Sequence, residues 1–225
     1  MAMTTLDRLQ VLIVDWQATG DRRALFAEAY GAMTTAMTQG VSAGGFADDA
    51  WVGRLVDRFA DYYFEAVDAF DHEGLCPRVW VDAFDCSRRD DLSQLQVVLL
   101  GINAHINHDL PLALADVLDD WDTLDEATRA GRLSDHERVN LVIEQSTDFV
   151  QDVVINRTAK LLAVADRLLG PVDEAVFNHI VVEWREHGWE AAQRLVTARD
   201  PQERDAVRAD IEDRAMKWAH WIRLP

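Results

Sequence analysis

Residues 92–118 constrain the fold more than any other part of the chain. Projected at about 100° per residue, Leu92, Leu95, Leu99, Ile102, Ile106, Leu110, Ala113 and Val117 form one continuous apolar face. Val97, Val98, Leu100, Ala104 and Leu112 cover much of the remaining circumference. A helix that is apolar nearly all round is a buried helix. It needs other helices on every side, and the rest of the chain supplies them. Helical periodicity runs almost throughout, and strand alternation appears nowhere. The expected fold is all-α, a single domain over residues 1–225. It is a bundle of about seven to nine helices around one central helix.

The partners can be placed from caps and breakers. Thr4 or Thr5 caps a first helix to about Trp16, and Asp21 a second from Arg22 to about Gln39. A glycine-rich loop follows. The third helix spans Ala47 to Phe70, with apolar positions from Trp51 onwards at spacings of three and four. Pro77 opens a short helix carrying Trp80 and Phe84. Asp91 or Ser93 caps the central helix. The pattern Ser134-x-x-Glu137 reads as a capping box that starts another helix, continuing to Leu169. Gly170-Pro171 stops it. Asp173 caps the next helix, which Gly188 bends, and Pro201 begins the last, ending in Trp218 and Trp221.

Into its buried helix the sequence sets Asn103, His105, Asn107, His108 and Asp109. Buried polar side chains cost about 1–3 kcal/mol each unless hydrogen-bonded, so this cluster is either a locking network or a site. His105 and Asp109 are four apart and share a face. They suit a histidine oriented by a carboxylate for acid–base work, or two metal ligands. His108 points farther round. Asn103 and Asn107 are candidate substrate-binding groups. Pro111 lacks the N–H that would bond the Asn107 carbonyl, so a kink is expected there.

The run Leu100-Gly-Ile-Asn-Ala-His-Ile-Asn-His-Asp-Leu-Pro-Leu-Ala-Leu resembles the signature of an uncharacterised bacterial domain-of-unknown-function family, number 5995. Pro77-Arg-Val-Trp80, Ala83-Phe84 and the later Arg185, Trp189 and Ala192 are similar to segments of that family. The resemblance covers about residues 50–195. It implies a helical fold and points to Asn103, His105, Asn107 and Asp109 as the family's motif, without assigning them an activity.

A second candidate cluster is His179, Glu183 and His187, at intervals of four on one edge of a helix. With His105 and Asp109, His179 and Glu183 complete a candidate site for a divalent metal between helices. This resembles the ligand logic of helical zinc-dependent phospholipases and nucleases, although that fold uses more ligands, including an N-terminal one. Asp119-Asp-Trp-Asp122 with Asp125-Glu126 is similar to the aspartate-rich motif of helical isoprenoid synthases. The chain is short for that family and has no second such motif, so capping aspartates in a solvated loop are expected. Trp51, Trp80 and Trp184 fall on apolar stripes and belong to the core. Trp218 and Trp221 offer either a terminal docking contact or a dimer surface.

The net charge is −18. An acidic surface repels phosphate backbones and anionic lipids, so neither nucleic acid nor membrane is an expected partner. There is no glycine-rich phosphate loop, no Gly-x-Ser-x-Gly elbow and no zinc ribbon. The absence of a secretory leader pattern and of a Cys-x-x-Cys pair leads to reduced Cys76 and Cys86 in a cytoplasmic protein. Two functions remain open. One is a small-molecule enzyme using metal-assisted hydrolysis or His/Asp acid–base chemistry. The other is a non-catalytic helical protein, ligand-binding or oligomeric, whose polar cluster locks the core.

Overall fold

The computed structural model describes residues 3–156 and 174–224, with side chains outside 144–156 and 174–176. Among the described residues the chain is helical and contains no strand. In order come α1 (Thr5–Thr19), α2 (Arg23–Ser42), α3 (Asp49–Asp71), α4 (Arg78–Ser87) and α5 (Gln94–Asn103). A π-helical turn (Ala104–Asp109) and α6 (Leu110–Val117) continue α5 as one central rod. A short 3-10 turn (Trp121–Thr123) leads to α7 (Glu126–Asn156), and α8 (Glu174–Val196) and α9 (Pro201–Ile222) complete the chain.

Each start has a local cause. Thr4 and Asp7 form a reciprocal capping box at α1, and Ser93 and Gln96 do the same at α5. Asp200 accepts the Glu203 N–H ahead of Pro201. Asp21 lies one residue outside the α2 cap, yet accepts the Arg23 N–H and grips the Arg23 guanidinium. Gly20, in the left-handed region at φ 72°, ends α1.

Two expected boundaries are displaced. Ser134 and Glu137 are exposed positions inside α7, not its cap. That helix begins at Glu126, where Asp125 accepts the Thr128 N–H at 2.7 Å. Once Asp125 has satisfied the first turn, nothing before Ser134 stops the helix. Gly188 does not interrupt α8. It is buried where α8 packs against Leu110 and Pro111, at a distance that would also admit a methyl group. The expected helix end at Leu169, the Gly170-Pro171 stop and the Asp173 cap lie outside the described residues.

The central rod is buried as its composition requires. It contributes to all three clusters of the described core: Leu100 and Ala104 to one, Leu110 and Leu114 to the second, Leu112 to the third. Trp51, Trp80 and Trp184 are all buried. Trp218 docks edge-on against Trp184 with ring centroids 5.1 Å apart, while Trp221 is exposed. Long-range polar ties fix the helices around the rod. The Trp51 indole N–H donates to the Val117 carbonyl at 3.1 Å. The buried Asp135 carboxylate of α7 accepts the N–H groups of Ala47 and Asp48 at 2.7 and 2.8 Å, tying α7 to the entry of α3. No described helix is long and apolar enough to cross a membrane.

The closest approach lies at Gly101, where a Cβ would meet the Phe26 ring at 2.5 Å. A methyl group there must displace Phe26 and separate α2 from the rod. Gly101→Ala is therefore expected to cost about 1–3 kcal/mol through overpacking, although alanine is the better helix former. Chemical denaturation checks this, and a variant as stable as wild type would refute the close approach.

Candidate functional site

The polar run folds as the π-helical turn. Leu110 donates its N–H to the His105 carbonyl, five residues back. Pro111 follows in the first turn of α6. In a regular helix its ring would crowd the Asn107 carbonyl. The wider π turn accommodates that conflict, where a simple kink was expected.

The turn gathers donors onto one carboxylate. Asp109 is 1% exposed. The His105 Nδ1 lies 3.1 Å from its Oδ2, and the His108 Nδ1 lies 2.8 Å from its Oδ1. From α4, the Trp80 indole N–H donates to both oxygens, at 2.9 and 3.1 Å. His108 was expected to stand apart; the π turn brings it onto Asp109. Burial works against the Asp109 carboxylate, but the N–H groups of His105 and His108 outweigh it and hold its pKa below the ordinary value. A carboxylate only accepts, so the proton of neutral His105 sits on Nδ1. This leaves Nε2 as a lone-pair nitrogen. Nε2 is buried and has no hydrogen-bond partner among the described residues. Burial lowers the His105 pKa more than Asp109 raises it, so the imidazole is neutral at neutral pH.

Aromatic rings fix the imidazole. Phe59 stacks on it at 3.6 Å and 8°, and Tyr30 meets it edge-on at 4.3 Å. On the cavity side, His105 lines a void of about 150 Å³. Its walls are almost wholly apolar, with Tyr30, Met33, Leu55, Phe59 and Ile106 among them. α8 adds Phe177, Val181 and Arg185, spaced four apart on one face.

The other predicted residues lie elsewhere. The Asn103 amide donates to the Ala215 carbonyl of α9 at 3.0 Å, and the Asn107 amide donates to the Asn103 Oδ1 at 3.0 Å. Neither is among the described residues that line the cavity. The pair ties the rod to α9 and leaves the Asn107 Oδ1 buried without a described partner. His179 is exposed and Glu183 half-buried, and neither lines the cavity. His187 bonds the Glu183 carbonyl at 2.7 Å.

Both Asp109 oxygens already accept N–H bonds, and the His105 nitrogen nearest them is one of those donors. Among the described residues no group of three His, Cys, Asp or Glu side chains is placed to hold an ion. In the aspartate-rich segment, Asp120 pairs with Arg132 at 2.6 Å and Asp125 serves as a cap.

Sequence reasoning did not select Trp80 or Arg185 as functional. Trp80 reads as one more core aromatic until Asp109 is placed beside it. Arg185 had a usable signal, an arginine on the apolar face between Val181 and Trp189.

Trp80→Phe keeps the ring and removes the donor. It is expected to cost about 1.5–3 kcal/mol, the range for a hydrogen bond to a charged group, measured by denaturant unfolding. The pH dependence follows from the imidazoles. His105 is held below its ordinary 6.5, and His136, buried and facing Arg185, well below it. The folded state therefore binds fewer protons than the unfolded chain as pH falls below 6.5. Stability is full above that pH and is lost progressively beneath it. A thermal-denaturation series between about pH 8 and pH 5 should show this loss, and His105→Gln should reduce its slope.

The model of a family of unknown function, DUF5995, matches residues 3–225, extending the resemblance through the N-terminal fifty residues. No curated protein and no solved structure matches the chain. With the match running over nearly its whole length, the chain belongs to the DUF5995 family of unknown function.

Proposed function

We propose that this protein acts on a small, largely apolar molecule by general acid–base chemistry, with His105 as the base and Asp109 as the residue that orients it. One observation carries the reading. A neutral imidazole has Nδ1 committed to a buried carboxylate, a lone pair on a partnerless Nε2, and a ring that borders an apolar cavity. Apolar walls strengthen each electrostatic contact made against them, and a histidine held neutral is ready to take a proton. Trp80 and His108 position Asp109. Asn103 and Asn107 support the site from behind, through α9. The metal-assisted alternative requires His179 and Glu183 to join His105 and Asp109, and the bonds that fill Asp109 weigh against it.

The second reading is a non-catalytic ligand-binding or oligomeric protein. It draws support from the two asparagines, whose amides serve only the packing of the rod against α9.

A nitrobenzisoxazole separates the two readings, because its ring opens when a base removes the proton on its carbon. The C–H electrons form the nitrile, the N–O bond breaks to a coloured phenolate, and the proton passes from the base to water. The wild-type protein is expected to accelerate this opening by roughly a hundredfold or more over buffer. Asp109→Asn should lower the rate and His105→Gln should abolish the gain. The rate should be flat with pH near neutrality and fall below the lowered His105 pKa. A wild-type rate equal to that of a folded His105→Gln variant would sink the catalytic reading.

A further inference from the structure

Arg185 is 5% exposed and lines the same cavity as His105. Its bonds go to neutral groups. Nε donates to the Asn140 Oδ1 at 2.7 Å, and Nη2 to the His136 carbonyl at 2.7 Å, with the His136 Nδ1 at 3.3 Å. His136 adds no charge, since burial and the neighbouring guanidinium hold its pKa well below the ordinary value. Among the described residues no carboxylate pairs with Arg185, and no hydrogen bond engages its Nη1. Burial pushes its pKa down to about 10, which still leaves it charged at neutral pH. A buried cation without a counter-ion is costly. Here the cation borders a largely apolar cavity and is held by Asn140 and His136 of α7.

We infer that this cavity takes a small monocarboxylate, its anionic head on the free edge of Arg185 and its apolar body against Tyr30, Met33, Leu55, Phe59 and Ile106. Charge sets the head group: a single guanidinium neutralises a single negative charge, and a dianionic phosphate would bring one unpaired charge into the apolar void. A planar carboxylate also matches the guanidinium fork. Size sets the body. An apolar protein cavity of about 150 Å³ is known to hold a benzene molecule, and the void here has the same volume. This rests on the cavity being a ligand site, and not on His105 acting as a base.

The test compares benzoate, benzyl alcohol and phenyl phosphate for binding to the full chain by calorimetry, with thermal shift as a second readout. Benzoate is expected to bind about tenfold or more tighter than benzyl alcohol, the ratio set by one charge-assisted contact. In Arg185→Gln that preference should vanish while benzyl alcohol still binds, which shows that the cavity survives. The wild-type comparison stands alone if that variant does not fold. Equal binding of benzoate and benzyl alcohol overturns the proposal, and so does tighter binding of phenyl phosphate. If His105→Gln removes the preference and Arg185→Gln keeps it, the imidazole holds the anion and the proposal also fails. Benzoate preference without nitrobenzisoxazole opening removes the catalytic reading and leaves this one standing. Failure of all three ligands to bind removes the site itself.

Discussion

Asp109 is the group on which the centre of the molecule depends. A carboxylate this buried costs several kcal/mol to take out of water, and it persists because three N–H groups converge on it. Two come from its own turn and one from α4, so the network joins a local motif to a separate helix. Trp80 brings more than its N–H. Its ring packs on Phe84, Phe26 and Tyr63, which places one end of the aromatic core against the carboxylate. A single charge thus positions α4, selects the His105 tautomer and leaves the other imidazole nitrogen without a partner among the described residues.

The geometry of that charge depends on the backbone around it. Pro111 cannot continue a regular hydrogen-bond ladder, and the chain answers with a π turn instead of breaking the helix. The turn keeps the rod continuous and lets His105 and His108 reach one side chain. Just before it, Gly101 admits Phe26 against the bare backbone, drawing α2 close enough for Tyr30 to meet the imidazole edge. On the other side, α8 packs against Leu110 and Pro111 and carries Phe177, Val181 and Arg185 to the cavity. One glycine and one proline therefore shape the rod where the site is assembled.

The cavity combines an imidazole nitrogen and a guanidinium that, among the described residues, have respectively no partner and only neutral ones. His105 belongs to the rod and Arg185 to α8, elements far apart in sequence that pack directly on each other. Elsewhere the abundant carboxylates of this acidic chain take ordinary roles: Asp135 holds the backbone leading into α3, Asp48 caps that helix, Asp116 pairs with Arg58, and Asp125 and Asp200 start helices. Asp109 stands out because it is buried, charged and turned onto two imidazoles.

The sequence by itself determined whatever depends on neighbours a few residues apart. The all-helical class, the burial of the central rod and the pairing of His105 with Asp109 all follow from spacings of three and four, and the caps at Thr4 and Ser93 were each one of two candidates. The same local logic misplaced the α7 start at Ser134 and a bend at Gly188, because a capping pattern or a glycine inside a helix is tolerated when flanking turns are already satisfied. Only the tertiary structure decided which groups from distant segments share one space. Trp80 became the third partner of Asp109, Asp135 the anchor of the backbone entering α3 and Arg185 the cation in the cavity, while Asn103 was committed to the Ala215 carbonyl. Those pairings span from 29 to 112 residues. Periodicity fixes which face of a helix a side chain occupies, but what that face meets is settled by packing, where shape and the cost of burying unpaired charge act together.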